Sequence, residues 1–558
     1  MKLLYNAFIH TQDPSHPTGS AILIDRERIV AVGEANVLLS QYPNVEKQNM
    51  EGRVILPGLT DAHLHLQQYA LSLQKVDCET DTKEECLRRV AERLKSTRPG
   101  EWILGHGWNQ NVWNPPLPFA LSGAAAEMKR GEGPGVRGWS SASELDAIAP
   151  NNPVYLTAKS LHASWANTAA LKLANITSQT PDPQNGQIQR DAKGSATGIL
   201  LESAMDLVTA VIPEPTIAEI AEAMEKAQAI LWKMGLTGIH DFDRRDSFLA
   251  LQQLRAQGKL RLRVLKNLPV ELLDQAYELG LSAGFGDDWL RIGFIKAFMD
   301  GALGPHTAAM FQPYVGEETN RGILNMDREE LFEHGRKAAQ AGLAMAVHAI
   351  GDRANHEVLA AFEQLRKYEL ENGMPARRHR IEHVQVLHPD DVKRLGKMNI
   401  IASMQPIHAT SDMLMADAFW GERSRLAYAW KTQLQNGAPL AFGSDAPVES
   451  PNPFWGLYAA VTRRRLDDSP SAEGWYPEQR LTMAEAWAGF TLGPAYAANM
   501  ETRLGRLAPN YLADLIVLEA SQDPFTCAPE DLLAMQSSAT MVGGEWVYTS
   551  ATIGGGLS

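Results

Sequence analysis

Short apolar runs recur through the middle of the chain, each followed by a stretch in which apolar residues return every three or four positions. GLAMAVHAIG followed by DRANHEVLAAFEQLRKYELE is one such pair. A short apolar run bounded by turn residues fits a buried strand, and the 3.6-residue period an amphipathic helix. Their alternation predicts parallel βα units. Counted from the first histidine pair, eight strands follow: VILPGLTDAH, LTGIHDF, LRLRVLKNL, LRIGFIKAFMD, LAMAVHAI, HRIEHV, NIIASMQP and PLAFGSD. Eight is the number that closes a (β/α)8 TIM barrel, so the expected fold class is α/β.

The two ends of the chain follow another pattern. Residues 1–55 alternate β-type runs such as AILIDRERIVAVG with polar turns, and residues 501–558 do the same in ADLIVLEA and GGEWVYTS. A small β-sandwich domain built from both termini is expected, around a barrel over 56–440 that continues to about 500. The first two strands are separated by far more sequence than the others. That span carries the Gly/Pro-rich pieces KRGEGPGVRG and TPDPQNGQIQRDAKGSATG, which predicts an inserted subdomain over about 70–205. Its tryptophans, Trp102, Trp108, Trp113, Trp139 and Trp165, lead us to expect a lid over the barrel mouth that shapes the pocket.

Composition narrows the function classes. The 558 residues are 44% hydrophobic and 21% charged, ample for a large core and unlike a disordered chain. The net charge of −14, with Lys and Arg scattered, leaves no basic stripe for a phosphate backbone, so no nucleic-acid partner is expected. Three cysteines without a metal-type pair fit a reducing compartment, and cytoplasm is the expected location. The N-terminus lacks a secretory h-region and no apolar run approaches the ~20 residues that span a bilayer, so no membrane association is expected. The expected partner is a small-molecule substrate, with a homodimer as the base-rate expectation for assembly.

The chemistry starts at His63 and His65 in TDAHLHL. Residues two apart on a strand share a face and can present both imidazoles to one metal. Such a pair is common by chance, and its weight comes from residues placed alike in later units: His348 in AMAVHAIGD, His383 in RHRIEHV and Asp445 in LAFGSDAPV. Each ends an apolar strand, and in a TIM barrel those ends converge on the face that holds the active site. Four imidazoles and a carboxylate suit zinc, as one ion or two, with iron, manganese or nickel as alternatives. Lys296 in RIGFIKAFMDG is either a salt-bridged or snorkelling lysine, or a lysine carboxylated by CO2 into an anion that spans two metals.

The ordered motifs DAHLHL, FIKAFMDG, VHAIGD, RIEHV and GSDAPV resemble the amidohydrolase superfamily. Within it the chain is similar to family 3, the group of YtcJ-like proteins and N-substituted formamide deformylases. The similarity runs nearly end to end, including GHGWNQNVW, HASWANTAAL and GSATGILLE in the insert and LGRLAPNYLADLIVL near the C-terminus. The resemblance implies that His63 and His65 bind one metal, carboxylated Lys296 bridges, His348 and His383 bind the second, and Asp445 contacts metal and nucleophile. An unmodified Lys296 would leave a mononuclear site. Substrate-side candidates are His162, Trp108 and Trp165 in the insert, with Asp300 and His306 after the Lys296 strand. Members of the family commonly carry Asp-Gly before the insert histidine where this chain has Ser160-Leu161, and a more basic residue at His306. His240 and Asp241 are candidate supports.

The implied reaction is hydrolysis of a non-peptide amide-type carbon–nitrogen bond by metal-activated water, with Asp445 as catalytic proton carrier. An ester, lactone or phosphoester substrate is the alternative within that chemistry. A non-catalytic binding or regulatory protein on the same scaffold is the alternative outside it. The absence of a GxSxG elbow disfavours a serine hydrolase.

Overall fold

A computed structural model describes residues 1–108, 113, 140–158, 163–184 and 186–551. The chain divides into two compact units, one of Met1–Ala70 with Ile217–Ser558 and one of Leu71–Thr216.

The larger unit contains the expected barrel. Its strands are β1 (Leu59–Leu64), β2 (Leu236–Asp241), β3 (Arg263–Pro269), β4 (Leu290–Phe298), β5 (Ala344–Ala349), β6 (Arg380–His383), β7 (Ile401–Met404) and β8 (Leu440–Phe442). They hydrogen-bond in chain order in one parallel sheet. The two edge strands meet just past their C-terminal ends, where Asp445 N–H donates to His63 C=O (2.7 Å) and His65 N–H donates to Ala446 C=O (2.9 Å). Helices follow the strands as the periodicity predicts. Asp352–Glu371, after β5, buries Ala354, Val358, Leu359, Phe362 and Leu365 at three- and four-residue spacing. Among the described residues no helix is long and apolar enough to cross a membrane.

The run VILPGLTDAH differs from the single strand expected. Val54–Pro57 pairs antiparallel with Leu515–Leu518 in a terminal sheet, whereas β1 pairs with β2 in the barrel. Gly58 separates the two, because a Cβ there would fall 2.3 Å from the Thr237 side chain. Glycine at the crossing lets one apolar run serve two sheets.

The terminal sheet has eight strands and interleaves both chain ends: strands within residues 2–57 pair among themselves and with Leu515–Leu518, followed by Ala539–Val542 and Glu545–Thr549. Its core gathers Leu4, Ile9, Ile22, Ile24, Leu515 and Val517. A buried ion pair ties this sheet to the barrel. Arg263, at the start of β3, donates through Nη2 to Asp514 Oδ1 (2.8 Å) and through Nε to Oδ2, and Gly543 N–H adds a third hydrogen bond to that carboxylate. The unit Leu71–Thr216 carries its own six-stranded sheet, with Trp108, Leu145, Leu156 and Trp165 in its core.

Truncating Arg263 strands a buried Asp514 charge, which ranks among the most destabilising single changes. Arg263→Ala is expected to lower unfolding free energy by about 3–5 kcal/mol in urea denaturation. A loss below about 1 kcal/mol would show that the pair does not fasten the sheet to the barrel.

Candidate metal centre

The site is built at the C-terminal ends of the barrel strands, where successive residues of a strand alternate between barrel interior and helix layer. His63 and His65 leave β1 on one face, each ring held by a carboxylate. His63 Nδ1 lies 2.7 Å from Glu382 Oε2, and His65 Nδ1 lies 3.2 Å from Asp243 Oδ1. Their Nε2 atoms converge on one oxygen, Asp445 Oδ1, at 3.4 Å and 3.3 Å. His383 ends β6 with a left-handed backbone (φ 75°), as does Val384 after it (φ 44°), and Asp445 is also left-handed (φ 61°). Non-glycine residues are costly in this conformation, and such strain clusters at functional sites. Here it breaks the strand's alternation, so that Glu382 and the adjacent His383 both contribute to the centre.

Each strand-end histidine has one ring nitrogen tethered. For His383 the partner is Gln405 Oε1 at 2.8 Å, and for His348 it is the Gly301 carbonyl, 3.0 Å from Nε2. The His348 and His383 rings meet edge to face with centroids 4.5 Å apart, and His63 and His383 are 5.2 Å apart. A tethered second nitrogen is the usual mark of a metal-binding histidine, since it fixes tautomer and ring plane. Among the described residues, two groups of ligand atoms lie close enough to share an ion: His63, His65 and Asp445, and His383, His408 and Asp445. Asp445 is common to both.

Protonation suits a cation. Burial pushes His63 and His348 down to about 4 and His383 well below its ordinary value, so these imidazoles are neutral at pH 7. Burial raises the cost of charge on Asp445, but the surrounding histidines outweigh it and hold the carboxyl well below the usual range. His65 is the exception. Burial opposes its charge, yet hydrogen bonds to Asp243 and Asp445 raise it to about 9, so a bound cation must displace that proton. Lys296, on β4, is pushed down to about 8 by burial. Its Nζ lies 4.8 Å from the Phe242 ring centroid and 4.7 Å from that of Phe298, with no hydrogen bond or ion pair among the described residues.

The sequence pattern of the amidohydrolase family matches residues 47–548. The chain belongs to that family. It is 33% identical to Protein LONG AFTER FAR-RED 3 of Arabidopsis thaliana, covering 98% of this chain and 91% of that one. It is 31% identical to YtcJ of Bacillus subtilis, covering 98% and 99%. With the N-substituted formamide deformylase of Arthrobacter pascens it shares 27% identity, covering 98% of each. A solved metal-dependent hydrolase from Pyrococcus furiosus superposes with a TM-score of 0.74 at 29% identity, over 94% of this chain and 100% of the other. The family expected from the motifs is therefore the right one, and the chain is a hydrolase.

In this amidohydrolase the remaining expected residues have other neighbours. The buried Asp300 carboxylate accepts from the backbone N–H groups of Ala309, Ile350 and Gly351 and lies 3.6 Å from His348 Nε2. It anchors the segment after β4. His306, on that segment, hydrogen-bonds Glu317 and packs on Tyr314 and Phe419. Trp108 and Trp165 are buried in the Leu71–Thr216 unit, their indole N–H groups donating to Leu156 C=O and Ser141 C=O (2.8 and 2.9 Å). His162 lies outside the described residues. His240 accepts from Arg380 (2.9 Å), and Asp241 pairs with buried Lys266 beneath the site.

Four residues of the centre escaped the sequence reading: Glu382, Arg380, Asp243 and His408. Arg380 holds the Glu382 carboxylate through Nε (2.5 Å) and Nη2 (2.9 Å), so the orienter of His63 is itself anchored deep in the barrel. Outer-shell partners of this kind are worth about 10–100-fold in metal affinity. Glu382→Gln is expected to weaken zinc binding within that range in competition with a chromogenic chelator, and unchanged affinity would show that His63 does not depend on the carboxylate.

Proposed function

We propose that this amidohydrolase cleaves the carbon–nitrogen bond of a small non-peptide amide, with Asp445 moving the proton. The observation that carries this reading is the position of the Asp445 carboxylate, whose Oδ1 is 3.4 Å from His63 Nε2 and 3.3 Å from His65 Nε2. His63, His65 and Asp445 would hold one divalent ion, zinc by the nature of the donors, and His348 and His383 a second, bridged by carboxylated Lys296. Such an ion supplies Lewis acidity, lowering the pKa of water and polarising a carbonyl.

The chain's own residues supply the rest. Lys296, pushed to about 8, has an appreciable free-amine fraction near neutral pH, and that form combines with CO2 to give a carbamate and a proton. Asp445, kept ionised, accepts the proton of the attacking water and returns it to the departing nitrogen, so one carboxylate serves both halves of the reaction. An amine leaving group needs that proton more than an alkoxide does, which favours an amide over an ester. The name of the Arthrobacter relative, an N-substituted formamide deformylase, points to the same bond.

Asp445→Asn keeps the shape and removes the base. With metal content matched to wild type, kcat on N-substituted formamides is expected to fall about 10²–10⁴-fold. Full turnover by the metal-loaded variant would remove Asp445 from this role.

A further inference from the structure

Of the residues of β4, Phe298 alone is exposed, at 45%. It ends the strand two residues after Lys296, so both side chains leave β4 on the same face. Phe298 stands opposite His348 in the pairing of β4 with β5, and Met299 N–H donates to the His348 carbonyl (2.9 Å), which pins the backbone beside the ring. The Phe298 ring centroid lies 5.3 Å from that of His348 and 4.7 Å from Lys296 Nζ. It therefore borders the metal centre with accessible surface that the polar groups there hardly share. The side chains of His348 and Asp445 are each 13% exposed and that of His65 is 20% exposed.

A second phenylalanine makes the contrast. Phe242 lies at nearly the same distance from Lys296 Nζ, 4.8 Å, yet it is 7% exposed and stacks on His63 with centroids 4.0 Å apart. One ring is covered by the protein and the other is left open. Single exposed apolar residues are ordinary on a protein surface. Phe298 differs because its ring touches two residues of the centre, so a substrate group laid beside His348 meets it. The rival duty for the ring is to shelter Lys296.

We propose that Phe298 is a specificity-determining wall of the substrate pocket, and that the substrate is an amide bearing an aryl group that packs on the exposed Phe298 ring. Aromatic rings pair offset or edge to face with centroids about 4.5–7 Å apart, and covering both rings removes apolar surface from water. A methyl group in the same place gains little of either. No bond is made or broken at Phe298, so its effect falls on the choice between substrates.

The inference rests on amide hydrolysis at this centre, and the test keeps the two apart. Metal-loaded wild type, Phe298→Ala, Phe298→Leu and Phe298→Tyr are assayed on N-(2-phenylethyl)formamide and N-methylformamide, whose leaving groups are both alkylamines and differ in the ring. The quantity read is the ratio of kcat/KM for the two, which cancels any loss common to both. The ratio is expected to fall about 10–100-fold in Phe298→Ala, to fall less in Phe298→Leu, and to stay within about threefold in Phe298→Tyr. A ratio within about threefold of wild type in Phe298→Ala, with both substrates slowed alike, would assign the ring to sheltering Lys296 and overturn the proposal, as would a wild type that favours neither substrate. Should Phe298→Ala not fold, Phe298→Leu carries the test, and a ratio equal to that of Phe298→Tyr overturns the proposal. If wild type cleaves neither formamide, the amide reading fails and binding decides Phe298. Calorimetry on the metal-loaded protein is then expected to show 2-phenylethylphosphonate binding at least about tenfold tighter than methylphosphonate, with that preference lost in Phe298→Ala and kept in Phe298→Tyr. Equal binding of the two phosphonates by wild type, or binding of neither, overturns the proposal.

Discussion

The Glu382 carboxylate, wholly buried between the Arg380 guanidinium and the His63 imidazole, is the constraint on which the centre depends. Burial alone would favour its neutral form, and the adjoining Arg380 reverses that, holding the carboxyl well below its usual range. The anion then fixes the His63 tautomer by accepting from Nδ1–H, so that Nε2 faces Asp445. Arg380 is held in turn by the Ala62 carbonyl (2.8 Å) and by His240, on β1 and β2. One charge network thus joins β1, β2 and β6 and fixes the orientation of the His63 ring.

Barrel closure serves the same end. Asp61, one residue before the Ala62-His63 step, accepts from His63 N–H (3.0 Å), Ser444 N–H (3.1 Å) and Ser444 Oγ–H (2.5 Å). Asp445 N–H donates to His63 C=O, so the link that joins the first and last strands also sets the proton carrier beside the first histidine pair. Burial lifts Asp61 to about 7, the cost of placing a carboxyl at this joint. Stability and site geometry are therefore coupled at the barrel mouth, and a change to Ser444 or Asp61 acts on both.

Much of this was legible in the sequence because periodicity and position agree. His63, His65, His348, His383 and Asp445 all end apolar runs, and runs of that length in a βα rhythm have their C-terminal ends on one face. The supporting charges were hidden for the same reason. Glu382 and Arg380 stand in RHRIEHV, and a charged residue in a short strand is ordinarily assigned to solvent. Only the three-dimensional pairing shows that both point inward. His408 had no spacing partner and falls on a helix start, where no strand-end rule applies. Gly58 hid a strand boundary inside one apolar run, since nothing local announces that Thr237 will pack against it. In the insert, Trp108 and Trp165 lie in their own unit's core and hydrogen-bond to its backbone.

Neutral imidazoles at His63, His348 and His383 beside the low-titrating Asp445 carboxyl suit a divalent cation, which would displace the proton of His65. Anomalous scattering at the zinc edge from crystals of the zinc-loaded protein tests this most directly. A peak bounded by His63, His65 and Asp445 is predicted, with a second beside His348 and His383 and continuous density extending from Lys296 Nζ. Crystals of fully loaded, active protein with no anomalous peak within bonding distance of His63, His65 or Asp445 would contradict it.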